Sequence, residues 1–112
     1  MAKKVSGVPR PIKSTEYAIE LATSQAAKGW TDLVATQKNA VVDAWDRLTR
    51  EPTDSDTRCH QLKGDLATLT HAGATHDQWQ YELNGGARIW FYVDGRTVKI
   101  VRMFTAHPNQ TK

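Results

Sequence analysis

Cysteine is nearly absent from this chain. Cys59 is the only one in 112 residues, which excludes an internal disulfide and fits a reducing compartment. No long apolar run occurs either. The amino terminus, "MAKKVSGVPRP", begins with two lysines but has no hydrophobic segment behind them, so neither a signal peptide nor a membrane anchor is expected, and the expected location is cytoplasmic with no membrane partner. A glycine-rich phosphate loop is missing. The histidines of "HAGATH", His71 and His76, stand near Asp77 without the third and fourth ligands at regular spacing that zinc needs. No metal or cofactor is expected. Cys59 and His60 are adjacent in sequence, which is a poor arrangement for a nucleophile and its base. Internal repeats and low-complexity tracts are also lacking.

What remains is ordinary in amount and uneven in placement. A hydrophobic fraction of 39% and a charged fraction of 24% are those of a globular domain, and the length suits one core. The net charge of +3 is not evenly spread. Lys3, Lys4, Arg10 and Lys13 occur before residue 16 with no acid among them. Acids outnumber bases between residues 16 and 56, and bases outnumber acids from 57 to 112. A basic tail and a basic carboxyl half around an acidic middle suggest one face for a polyanion and another for a different partner.

Along the chain, residues 1–15 carry Gly7, Pro9 and Pro11 without periodicity and read as a flexible basic arm. Residues 16–112 read as one α+β domain. In "EYAIELA", Tyr17, Ile19 and Leu21 alternate as in a short strand. Ser24 is positioned to cap a helix whose apolar face holds Trp30, Leu33 and Val34. A second helix presents Val41, Ala44, Trp45 and Leu48 as one stripe and closes at Pro52. Both tryptophans are expected in the core. "CHQLKG" suggests a short edge strand or the lead into one, and "GDLATLTHAGATH" carries no readable pattern. Then follow "DQWQYEL", Asn84-Gly85-Gly86, "ARIWFYV", Asp94-Gly95 and "RTVKIVRMFT", a meander of three strands. Asp-Gly between alternating apolar runs is the strongest local hairpin signal and predicts a two-residue turn with positive φ at both positions.

Turn length sets register, and register decides which side chains share a face. Two-residue and three-residue turns put Trp79, Tyr81, Leu83, Ala87, Ile89, Phe91, Val93, Val98 and Ile100 on the core side. The other side collects Gln80, Glu82, Arg88, Trp90, Tyr92, Thr97, Lys99, Val101, Met103 and, by continued alternation, Thr105 and His107. Flat rings among cations suit single-stranded nucleic acid, because rings stack on unpaired bases for ~1–3 kcal/mol each while Arg and Lys meet phosphates. Cleavage of RNA by its own 2′-hydroxyl needs a proton acceptor, a proton donor and a cation for the charged phosphorane; His107, Glu82, Lys99 and Arg88 could supply these. Taken singly, the same residues have plainer readings. Glu82 falls opposite Arg88 as a cross-strand ion pair, and Lys99 opposite Trp90 as a cation–π contact.

The order of one strand, two helices and a meander, with "LKG" at 62–64, "WQYEL" at 79–83, "GARIWFYVDGRTVKIV" at 86–101 and "TAHPNQTK" at the end, resembles the RelE/ParE superfamily of type II toxins over about residues 16–112. The resemblance implies a small RelE-like fold: a short amino-terminal strand, two packed helices and a three- to four-stranded antiparallel sheet. It also implies a ribosome-dependent mRNA endonuclease that inhibits translation, silenced by a cognate antitoxin protein. In that branch an arginine near the start of the third strand contacts the scissile phosphate and matches Arg88. A terminal cluster drawn from His, Lys, Arg or Tyr is matched by "AHPN", with His107 as its titratable member. Two lysines of the second strand are replaced here by Gln80 and Glu82, which implies either that Glu82 or His60 takes over as the base or that cleavage is weak or lost. Trp90, Tyr92, Lys99, Lys63 and His60 are the expected RNA contacts. ParE-branch members, which bind and inhibit DNA gyrase without nuclease residues, define the alternative. If His107 is the acid or base, cutting should vary across the imidazole range, near pH ~6.5.

Overall fold

Thr23 sets the first helix by accepting a 3.0 Å hydrogen bond from the Ala26 amide, one residue before the expected cap at Ser24. In the computed structural model, which describes residues 11–105, that helix, α1 (Ser24–Thr36), follows strand β1 (Ala18–Leu21) and is joined through Gln37 to α2 (Lys38–Arg50). Then come β2 (Cys59–Gln61), β3 (Thr68–His71), β4 (Ala74–Asp77), β5 (Trp79–Glu82), β6 (Arg88–Asp94) and β7 (Thr97–Phe104). The expected α+β class is observed. The sheet is larger than the expected three or four antiparallel strands: five strands run in the order β1-β7-β6-β5-β2. It is also mixed, since β1 lies parallel to β7 while the other pairs are antiparallel.

The "GDLATLTHAGATH" stretch forms the separate β3–β4 hairpin. Its turn rests on Ala72 at φ 54° and Gly73 at φ 82°, the paired positive dihedrals of a tight hairpin, and the Thr70 and Thr75 hydroxyls meet across it at 3.0 Å. Of the stretch read as an arm, residues 1–10 lie outside the described residues. Beyond them the chain turns at Lys13, whose amide donates to the Glu16 carboxylate at 2.7 Å.

The core lies between the helices and one face of the sheet. Ala26, Leu33, Val41, Ala44 and Leu48 meet Tyr81, Leu83, Ala87, Ile89, Phe91, Val98, Ile100 and Met103 there. Trp30 and Trp45 are half-buried at its margin, edge to face at 6.1 Å. Burial raises the pKa of the Tyr81 hydroxyl, and it pushes the Cys59 thiol up to about 11. α1 presses so closely on β7 that a Cβ at Gly29 would lie 2.6 Å from Met103 Cβ and 2.9 Å from its carbonyl oxygen.

The β5–β6 register is the expected one, with Trp79, Tyr81 and Glu82 opposite Phe91, Ile89 and Arg88. The β6–β7 register is shifted by two. Asp94 pairs with Thr97, and the two-residue turn is Gly95-Arg96, with only Gly95 at positive φ. A shift of two keeps every side chain on its expected face. A second departure does not: Phe91 pairs with Ile100 but Trp90 with Arg102, so Val101 is an extra residue, a β-bulge that inverts the alternation beyond it. Met103, expected on the open face, is therefore 1% exposed in the core.

The bulge coincides with the end of β1. The Ala22 amide still donates to Ile100 O, after which the Thr23 hydroxyl donates to Val101 O at 2.7 Å and the Gln25 amide brackets Met103 through both its backbone groups. Side chains at the start of α1 thus replace the missing strand in satisfying the outer edge of β7.

Candidate nucleic-acid interface

On the sheet face away from the helices, the pairings set side chains in rows. One row runs from His60 on β2 through Gln80 on β5 and Trp90 on β6 to Arg102 on β7. Beside it run Glu82, Arg88 and Phe104. Nearer the β6–β7 turn come Tyr92, Lys99 and Glu20.

The end of the chain's acidic segment holds β2, and with it His60, in place. Asp56 accepts from the amides of Arg58 and Cys59 at 2.8 and 2.9 Å and receives Arg47 at 2.7 Å. The hydrogen bond from Arg47 holds the Asp56 carboxyl below the usual range. β2 then pairs with β5, and its half-buried His60 stands opposite Gln80 with Nδ1 3.2 Å from Gln61 O.

Gln80 is the hub of the first two rows and is 3% exposed. Its carbonyl oxygen accepts from Trp90 Nε1 at 2.9 Å and Arg88 Nη1 at 3.1 Å. Its amide approaches the Glu82 carboxylate at 3.5 Å, and that carboxylate meets Arg88 Nη2 at 3.4 Å. The expected Glu82–Arg88 pair is therefore present, with a neutral amide bracing it. Among the described residues Arg88 Nε is buried without a hydrogen-bond partner. Beside this group, Trp90 meets Phe104 edge to face at 4.9 Å. The Arg102 guanidinium lies 5.1 Å from the Phe104 ring centre and 6.0 Å from that of Trp90.

The cation over Trp90 is thus Arg102, where Lys99 was expected. Lys99 stands opposite Tyr92 and reaches Glu20 at 2.6 Å, a hydrogen bond that raises its pKa. Tyr92 is 2% exposed. The β3–β4 hairpin covers it: its hydroxyl meets His71 Nδ1 at 2.8 Å, and the His76 ring stacks on it at 4.2 Å. The ring is thereby removed from the stacking role expected of it. Lys63 is exposed just before the 3-10 turn Gly64–Leu66. His107 lies outside the described residues.

The fold thus brings His60, Glu82, Arg88 and Trp90 together and sets Tyr92, Lys99 and Lys63 apart. It adds Gln80 as a brace and Arg102 and Phe104 as surface groups that strict alternation assigned elsewhere. One signal could have revealed them. In "VKIVRMF" the apolar residues Val98 and Ile100 are two apart, but the next core residue, Met103, comes three later. Among the described residues no cluster of His, Cys, Asp or Glu is placed to hold a metal ion, and no helix is long and apolar enough to cross a membrane. No protein-family model, curated protein or solved structure matches this chain.

Proposed function

We propose that this protein is the toxin of a type II toxin–antitoxin system, a RelE-like endonuclease that cuts mRNA on the ribosome. The observation that carries the reading is the braced guanidinium of Arg88, flanked on its two neighbouring strands by the Glu82 carboxylate and the Phe104 ring. The sequence motifs and the order of strand, helix pair and meander also support it.

In the proposed reaction Glu82, or His60 in its neutral form, takes the proton of the 2′-hydroxyl. The 2′-oxygen attacks the adjacent phosphorus, and the P–O5′ bond breaks. Arg88 balances the charge that develops on the phosphorane oxygens, and the departing 5′-oxygen takes a proton from His107, the expected donor. The products are a 2′,3′-cyclic phosphate and a 5′-hydroxyl. Phosphate entry exchanges the Glu82–Arg88 contact for a phosphate–Arg88 contact, which frees the carboxylate to act as base. The cognate antitoxin has an apolar surface available at the junction of β1, α1 and α2, where Leu21 is 40% exposed beside Ile19, Trp30 and Trp45.

Sequencing of mRNA ends in a translation extract tests the reading. Cuts at ribosome-occupied positions, lost in Arg88→Ala, are expected. The same Glu82–Arg88 pair favours a second reading, because a guanidinium already neutralised by a carboxylate suits a non-enzymatic protein. A ParE-like gyrase inhibitor would leave message intact and trap gyrase on DNA, and that pair of results would replace the first reading.

A further inference from the structure

We infer that Trp90, Arg102 and Phe104 form a stacking site for one unpaired purine base of single-stranded RNA. The inference rests on the RNA-directed reading above and adds the part of the nucleotide that is recognised.

Three features of the cluster point to a base and not to a second protein surface. The Trp90 ring is fixed before any ligand arrives: its N–H is held by buried Gln80 and it packs edge to face with Phe104. A preset ring loses little freedom on binding. Arg102, by contrast, is exposed, and among the described residues its only contacts of this kind are with the two rings. Its guanidinium lies 6.0 Å from the Trp90 centroid, slightly less than twice the ~3.4 Å spacing of stacked bases. A shift of about 1 Å on a flexible stem would open a slot for one flat ring between a π face above and a cation below. Finally, Phe104 is the cross-strand neighbour of Arg88, so a base in the slot keeps its own phosphate within the reach of that guanidinium.

The slot is bounded. On the turn side of Trp90 the next ring on the same face, Tyr92, is covered by the β3–β4 hairpin, so stacking cannot continue there along β6. A single-base slot walled by the Trp90 ring on one side and the Arg102 guanidinium on the other, with Phe104 crossing Trp90 at 71° at its margin, favours the larger π surface of a purine.

Fluorescence anisotropy of 5′-labelled RNA octamers at fixed salt tests this: one all adenosine, one all uridine, and one of adenosines with a single central abasic site. The adenosine octamer should bind several-fold more tightly than the uridine octamer. Phe104→Leu and Arg102→Gln should each weaken adenosine binding by about tenfold, and Arg102 is exposed enough that its variant remains folded, as thermal melting will verify. Equal binding of adenosine and uridine octamers, or unchanged affinity in folded Arg102→Gln, would overturn the site. The central abasic octamer should bind close to the intact one, because the remaining bases can occupy a single slot; a large loss there would instead mean an extended platform and overturn the single-base assignment. The two readings fail separately. Ribosome-dependent cutting without base discrimination removes the slot and keeps the endonuclease, whereas discrimination without any cutting keeps the slot and removes the endonuclease.

Discussion

Tyr92 and Trp90 stand two residues apart on one strand and one face, and alternation alone gives them the same fate. Their surroundings differ completely. Tyr92 lies under the β3–β4 hairpin against two imidazoles, whereas Trp90 is half-buried among Gln80, Phe104 and Arg102. The lesson is that a strand pattern settles which face a ring points to and says nothing of what else reaches that face. Whether the ring is structural or available to a ligand is decided by a segment with no periodicity of its own and by one extra residue in the neighbouring strand.

Truncating the covered ring should be the most damaging change. Tyr92→Ala is expected to cost about 3 kcal/mol in urea unfolding, whereas Tyr92→Phe, which removes only the hydroxyl facing His71, should cost about 1 kcal/mol. Faster hydrogen exchange in β3 and β4 should accompany the alanine variant. If Trp90→Ala proves equally costly, the contrast between a covered and an open ring is lost.

Gly29→Ala addresses how the open half is held, since the added methyl must displace Met103 beyond the bulge. A loss of about 2 kcal/mol is expected, together with weaker RNA binding, because Met103 lies between Arg102 and Phe104 in the strand. A silent substitution would show that α1 does not fix β7 there.

The opposite side of the sheet gives a pH-dependent comparison. Burial raises the Cys59 thiol from 9.0 to about 11, so above pH 9 the unfolded chain releases a proton that the folded chain keeps. This contribution to stability is complete below pH 9 and fades as pH rises towards 11, by at most ~2 kcal/mol. Tyr81 shifts in the same direction, so Cys59→Ala should remove part of the alkaline loss and leave the rest. Denaturant midpoints from pH 8 to 11 will show whether it does. The smallest effect is expected from Lys99→Met. Its exposed partner Glu20 keeps the shift in the denaturant midpoint small, and RNA affinity should change less than in Arg102→Gln.

Much of this arrangement was legible in the residues. Alternation gave the core side of β5 and β6 and the Glu82–Arg88 pair, and the 3.6-residue stripes gave both helices. After a polar loop, "CHQLKG" reads as an edge strand or the lead into one, and β2 takes only its first three residues. The turn register is not legible locally because Asp94-Gly95 and Gly95-Arg96 both offer a glycine for a positive φ. The bulge is not legible locally because Val101 is as apolar as its neighbours; the side chains that hydrogen-bond β7 there, Thr23 and Gln25, lie nearly eighty residues earlier in the chain. The β3–β4 hairpin is opaque because its strands, TLTH and ATHD, are mostly threonine, alanine and histidine, and its two imidazoles meet Tyr92 on the other sheet.

Photo-cross-linking of a short single-stranded RNA carrying a thiolated purine, with attachment sites mapped by mass spectrometry, tests the central claim most directly. Attachment at Trp90 or Phe104, with Tyr92 unmodified, is the predicted result. Attachment at Tyr92, or only on the surface of α1 and α2, would contradict it.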